Sequence, residues 1–540
     1  MKLSLKLLLV CLALVVIGAA FVSCGDTPDE TDAETPAVTE SERADETQAH
    51  SHTSANSATK VVESTCTEAG YSEFTCDVCG ETYRVEEDAV MGHTFTDVKT
   101  ERKSGLKKAT CTKCGAEIIP LVGKDSTTFE AVCQGDITIE FEVSGADAEV
   151  EFFLDDFSMH KKTYKPGKHT ATVARGLDES NYVFTLAQNN EGSTVAISTI
   201  TVDGKIARKN PVILEIDKQK DPKRGSYESF YVYVKTSDPS GKYYVRYNFI
   251  YEYNTNIVLK SNTTDNIDAF RVKEAYLVEI TSVTDTDVKY NLVQKVLQQG
   301  EISLAARESR DGVADFIGGY HGDDHMFEFV LKADGVEYKP GEADIAVACD
   351  TIEFTQRAYL TRCGAPDTNV MIHNQEYTID GEGVKIAKSL EWLVDDFKST
   401  TVYMQMFTVY RNDVCENLMV LDGEGKNPFS KEGDNILLGT DVKVVEENAK
   451  YADKRVLSNK DNRQLVYSSD KTGISAKVGF EILNESCSIR SASIQLRYKD
   501  AKDNKWYVDF TGPDGNATPK KGDVWAIDSY YDIDYVAPAK

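Results

Sequence analysis

The chain has 540 residues, 12 of them cysteine, with 88 acidic against 60 basic side chains and a formal net charge of −28. That length accommodates roughly three or four domains, and such acidity without a compensating basic stripe excludes a nucleic-acid binder. Tyr (27) and Phe (21) are plentiful and long stretches of 3.6-residue periodicity are scarce, so the expected fold is mainly β.

Lys2 and Lys6 form a short positive head, and Leu7 to Phe21 is uncharged and apolar. That run fits the hydrophobic region of a signal peptide and is short for a membrane span. Val22-Ser23-Cys24-Gly25 follows, and resembles the lipobox of bacterial lipoproteins. The resemblance implies a diacylglyceryl group on Cys24, with residues 1–24 as signal peptide, and a chain held on the extracellular face of the cytoplasmic membrane. Two acyl chains on one Cys suffice for stable anchoring, so the lipid anchor is the expected membrane contact. Residues 25–60 are rich in Asp, Glu, Thr, Ser and Ala. Such a segment cannot bury enough apolar surface to offset its ordering entropy and reads as an acidic stalk. His50 and His52 at its end read as solvated linker residues.

Residues 65–80 (TCTEAGYSEFTCDVCG) and 100–115 (TERKSGLKKATCTKCG) align without gaps at a period of 35. Cys76 and Cys79 fall on Cys111 and Cys114, Gly80 falls on Gly115, and Cys66 falls on Glu101. Two C-x-x-C-G knuckles at a fixed period are a metal signal, because Gly permits the tight turn that brings backbone N–H groups to the thiolates. Residues 61–122 also resemble the C-T-x-x-G…C-x-x-C-G…G-H repeats of Gram-positive surface proteins, with Gly92-His93 as the last element. Two ligand sets are open: Cys66, Cys76, Cys79 and His93, or Cys76, Cys79, Cys111 and Cys114. The first uses the complete copy and leaves the second knuckle vestigial or half-occupied. In either set the expected cofactor is a structural zinc ion, since four ligands leave no position for substrate; disulfides are the alternative in an extracellular setting.

From Gly135 the pattern becomes alternating, as in Ile137, Ile139, Phe141 and Val143, the mark of half-buried strands. Further strands are expected at Val150–Leu154, Lys168–Val173, Tyr182–Ala187 and Thr194–Val202, with turns at Pro166-Gly167 and Asp203-Gly204. Residues 125–210 thus read as a β-sandwich. GDITIEFEVSG, KTYKPGKHTATVARGLDESNYVFTLAQNN and STVAISTITVDG resemble the N-terminal jelly-roll domain of carbohydrate esterase family 2. In that family the jelly roll precedes an SGNH hydrolase domain, which needs Gly-Asp-Ser and a late Asp-x-x-His. Neither occurs here, so the resemblance implies an ancillary role toward carbohydrate and no esterase site. His160 and His169 read as packing residues.

Residues 211–540 read as one large β-sandwich region or two smaller ones, with strands at Tyr227–Lys235, Tyr243–Tyr251, His325–Leu331, Asp344–Ala348, Thr401–Tyr410, Lys477–Leu483, Ile494–Arg497 and Lys505–Phe510. Cys349 and Cys363 are close enough in sequence to pair. The segment Phe316-Ile317-Gly318-Gly319-Tyr320-His321-Gly322-Asp323-Asp324-His325 concentrates Gly, His and Asp. A polysaccharide lyase needs a Tyr or His base and a group that neutralises a carboxylate; His321 with His373 or Tyr403, supported by Arg357 or Asp323, would supply these. The same cluster also reads as a surface loop that caps strand ends. In sum, the fold class is a small zinc-ribbon-like module followed by β-sandwich domains, some of them jelly rolls. The leading functional expectation is a lipid-anchored, glycan-binding surface protein. A lyase at His321 and a purely structural adhesion protein are the other readings.

Overall fold

The computed structural model describes residues 51–539 apart from 55–56, 69, 89–91, 219–227, 259–263, 299–303, 310–315, 411–413, 423, 425–435, 438–453, 459–462, 485 and 498–502. The signal segment, Cys24, most of the stalk and His50 lie outside the described residues. The protein is mainly β, and its strands form several sheets.

The first sheet has three antiparallel strands, β1 (Lys60–Val62), β2 (Gly70–Thr75) and β3 (Thr82–Asp88). β2 and β3 make a hairpin whose tip is the Cys76–Cys79 knuckle, with Thr75 opposite Thr82. The second copy repeats the design: β4 (Lys99–Thr100), β5 (Lys107–Thr110) and β6 (Glu117–Val122) carry the Cys111–Cys114 knuckle between β5 and β6. This copy does not stand apart from the next domain, as the sequence boundary at 122 implied. β6 pairs with β11 (Ser193–Ala207), Ile119 opposite Ile197, and so joins the following sheet.

That sheet runs β4-β5-β6-β11-β7-β10-β8-β9, with β7 (Asp125–Gly145), β8 (Ala148–Leu154), β9 (Phe157–Tyr164) and β10 (Gly167–Gln188). β7 keeps a period of two over its length, so Phe129, Ala131, Ile137, Ile139, Phe141 and Val143 all enter one core with Phe152, Phe184 and Val195. The two strands expected at 168–173 and 182–187 are a single β10, and Asp203-Gly204 lies inside β11. Register shifts at Thr172/Ala174, Leu177/Ser180 and Thr201/Asp203 mark the places where the turn-like residues became bulges. A bulge bends a strand without ending it.

Among the described residues, 212–535 form two sheets with one main core and a smaller buried cluster around Ile213, Tyr233 and Val278. One sheet has sixteen strands and the other has six, in the spatial order Phe316–Ile317, Ala305–Glu308, Ser399–Tyr410, Asp503–Asp509, Ser491–Arg497, Lys454–Ser458. Phe354, Ile386 and Trp392 from the larger sheet pack in the same cluster as Val402, Phe407 and Trp506 from the smaller one. Cys349 and Cys363 are not joined in a disulfide. They bracket the extended strand Ile352–Arg362, which at about 3.4 Å per residue separates them by on the order of 35 Å. Their nearness in sequence is therefore not nearness in space.

Candidate metal centre and an aromatic face

The hairpin geometry decides how the cysteines group. β2 has six residues, so about 20 Å separates the knuckle at its tip from Cys66 and His93 at its base. One copy cannot close a site on itself. The structure instead gathers Cys66 and His93, from the base of copy one, with Cys111 and Cys114, from the tip of copy two; the four ligand atoms all lie within 4.8 Å of one another. This differs from both sets read from the sequence, and the second knuckle, which the first set left vestigial or half-occupied, belongs to the four-membered group.

Three observations fit this group to a metal ion. Cys66 Sγ and Cys111 Sγ are 3.7 Å apart, far too long for a disulfide. A tetrahedral ion with ~2.3 Å bonds to sulfur places two thiolates about 3.8 Å apart, and a thiolate and an imidazole nitrogen about 3.5 Å apart. Cys114 Sγ and His93 Nδ1 are 3.6 Å apart. Behind His93, its Nε2 lies 3.6 Å from a carboxylate oxygen of Glu142, and both side chains are buried. Burial pushes the Glu142 carboxyl above its usual range, and neither of its oxygens has a hydrogen-bond partner. An imidazole bound to a metal through Nδ1 must carry its proton on Nε2, which faces this carboxylate; such outer partners fix the tautomer of a ligating His. Gly92 sets the approach, because a Cβ there would come within 2.8 Å of Ser144 on β7.

Thiol chemistry agrees. Burial pushes the Cys111 thiol up, but the backbone N–H groups of Cys114 and Lys113 and the His93 ring overcome it and hold Cys111 at about 5. Burial together with the neighbouring Cys111 and Cys114 pushes Cys66 up to about 11. Four such groups packed together favour a cation that would let all of the thiols ionise.

The first knuckle has its own partner, His52, which the sequence reading left in the linker. His52, Cys76 and Cys79 form a second group of three with ligand atoms within 4.8 Å. The two knuckles are built alike: Gly80 N–H donates to Cys76 C=O and Gly115 N–H to Cys111 C=O, each at 2.9 Å. Asp77 N–H donates to Thr53 C=O (3.0 Å) as Thr112 N–H does to Thr94 C=O (2.8 Å). A His-Thr dipeptide thus precedes each knuckle and docks on it. That repeated dipeptide was the signal available for His52.

Glu101, at the position of Cys66, ends the series. Its carboxylate accepts from Lys108 Nζ (2.9 Å) and Ser104, while the neighbouring Arg102 enters the large sandwich, donating to Lys235 C=O (3.0 Å) and pairing with Asp532. A cleft of 760 Å³ lies along this junction. Ion pairs bridge it, including Lys103 to Glu382 at 2.8 Å, so it reads as a polar seam between domains.

The residues nominated for catalysis divide. His321 and Tyr403 do come near each other. Phe316 lies 4.9 Å from His321 and 6.1 Å from Tyr403, and Tyr403 stacks on Tyr507 at 5.0 Å, all between ring centroids. Tyr507 alternates with the buried Trp506 and Val508, so this row lies on the outer face of the six-stranded sheet, half-buried. Arg307 lies over Phe316 and Lys505 over Tyr507, each at 5.7 Å. His373 is elsewhere. It is 2% exposed inside the strand Ala365–Asp380, and burial, with Lys388 nearby, pushes its pKa down to about 3. It cannot share a cleft with His321. The supporting residues are also committed: Asp323 is buried and bonded to Thr361, and Arg357 donates to Asn374 (2.8 Å) and Glu328 (3.0 Å). Among the packing histidines, His160 bonds Tyr164 and His169 bonds Lys165 C=O.

No family model and no curated protein matches this chain.

Proposed function

We propose that this chain is a lipid-anchored surface protein that binds carbohydrate on the outer face of the six-stranded sheet without cleaving it. The observation that carries the reading is the row His321–Phe316–Tyr403–Tyr507. A pyranose ring packs its face of C–H bonds on aromatic carbon, and the outward side of this half-buried row, edged by Arg307 and Lys505, would be such a surface. Arg307 and Lys505 beside the row would meet hydroxyl or acidic substituents. The burial of His373 removes the second base or acid that a lyase at this place would draw on. Cys24 and the apolar segment before it support the anchor, and the stretches similar to the esterase jelly roll support an ancillary role toward polysaccharide. In this reading the Cys66–His93–Cys111–Cys114 group holds a structural zinc ion, which locks the two repeats and the first sandwich together. Its softness and its S₃N donor set suit zinc.

The test is a glycan array probed with the full chain, followed by calorimetry on any ligand found. Tyr403→Ala and Tyr507→Ala should each weaken binding about tenfold or more, the scale of one lost stacking contact. Phe327→Ala, a 43% exposed aromatic of the other sheet, should leave affinity unchanged, and no unsaturated product should accumulate. Binding that ignores both Tyr variants, or product formation that depends on His321, sinks the reading.

A further inference from the structure

We infer that His52, Cys76 and Cys79 form a second metal site, one with an exchangeable coordination position at the exposed outer tip of the first hairpin. It holds a divalent ion through two thiolates and an imidazole, and it takes an external soft donor, such as a thiolate, as fourth ligand.

The geometry repeats that of the closed site at every shared position. His52 Nδ1 lies 3.6 Å from Cys79 Sγ, the same separation as His93 Nδ1 from Cys114 Sγ and the edge expected around one tetrahedral ion. The Cys-x-x-Cys-Gly turn and the docked His-Thr segment match those of the second copy, hydrogen bond for hydrogen bond. The imidazole is also held in place from behind: His52 stacks on Tyr83 at 5.3 Å, and Tyr83 on Phe74 at 5.7 Å. A solvated linker histidine has no need of such a stack.

The difference lies in the fourth ligand. In the closed site Cys66 fills that place and is buried. Among the described residues, only three donors converge on the first knuckle. Glu81 comes within 4.0 Å of Cys79 Sγ, but it is not part of the group whose atoms all lie within 4.8 Å. The Cys-x-x-Cys pairs are alike, Cys76 and Cys111 buried and Cys79 and Cys114 exposed, but His52 is exposed where His93 is half-buried. Three protein ligands with solvent access are the arrangement in which a metal keeps a replaceable position, whereas four closed ligands are structural. The two sites therefore differ in purpose although they share a construction.

Cobalt(II), which reports its ligands by colour, is the probe. The full chain, loaded anaerobically, should bind two cobalt ions, and Cys79→Ser or His52→Ala should bind one. Added 2-mercaptoethanol should raise the thiolate-to-cobalt absorption of the native chain and leave that of Cys79→Ser unchanged. A chelator should strip the tip site at a concentration at least tenfold lower than the closed site. One cobalt per native chain, no response to thiol, or a Cys76–Cys79 disulfide in freshly prepared anaerobic protein would each overturn the inference. None of these outcomes bears on glycan binding, and the closed site is read independently through Cys111→Ser.

Discussion

The three-stranded sheet of residues 60–88 and the two-sheet sandwich beyond residue 211 are both β, yet they are held by different means. Among the described residues, none of the small sheet belongs to a hydrophobic cluster, and Val61 and Val85 on its strands are exposed. Its buried groups are mostly cysteines and small polar residues: Cys66, Cys76, Gly70 and Ser72. The large sandwich buries Trp392, Trp506, Tyr233, Tyr247 and several Phe completely. A segment too small to bury apolar surface needs a covalent or metal tie, while a large one closes through area alone.

Metal removal separates the two most sharply. A structural zinc contributes on the order of 10 kcal/mol or more of folding free energy, beyond anything the small sheet could supply from its own packing. Chelation should therefore abolish amide-exchange protection in β1–β3. The fluorescence of the three Trp residues, all in the core of the large sandwich, should not change. Protection in β2 and β3 that survives chelation would mean that the hairpin does not depend on metal.

Acid should break the comparison from the other side. His373 is buried in the sandwich with its pKa pushed down to about 3, and its unfolded value is about 6.5. As pH falls below about 6.5 the unfolded chain takes up a proton that the folded chain refuses. The contribution of this residue is intact above that pH and drains away down to about 3, by roughly 4–5 kcal/mol in all. Urea midpoints measured from pH 7 to pH 4 should show this loss in the native chain and much less of it in His373→Leu. Parallel acid limbs in the two proteins would show that the imidazole does not titrate with unfolding.

What the sequence revealed follows the same division. Strands that alternate cleanly, such as Ile137–Val143 and Trp506–Phe510, were legible, because period two survives in composition. Val524–Tyr535 was missed although it alternates in the structure, with Trp525, Ile527, Tyr531 and Ile533 inside. Its outward Asp528, Asp532 and Asp534 and the buried Ser529 dilute the apolar alternation. The ligand residues were legible as types and spacings, but their grouping was not. A self-alignment at period 35 pairs knuckle with knuckle; it cannot show that a hairpin keeps its tip and its base apart. His52 escaped for a related reason. It stands 24 residues before Cys76, whereas His93 stands 18 before Cys111, so the ungapped repeat does not superimpose them. Of the aromatic row, His321 and Tyr403 were nominated together, but Phe316 and Tyr507 were not, because the row draws on strands far apart in the chain.

The smallest effect concerns a contact between one candidate metal ligand and the first sandwich. Glu142 sits on β7, and its carboxylate has His93 Nε2 as its near neighbour. If that contact sets the ligating tautomer, Glu142→Gln should weaken metal affinity by about 10- to 100-fold, the usual cost of losing such a partner, while stoichiometry stays the same. Glu142→Gln keeps the size and removes the charge, so it isolates electrostatics from packing. Burial also makes this carboxylate costly to ionise without a cation nearby. The metal-free protein should therefore be at least as stable with Gln as with Glu, and only the loaded protein should be weaker. A variant that loses stability equally with and without metal would make Glu142 a packing residue. In that event His93 would be held by Gly92 and the fold of β7 alone.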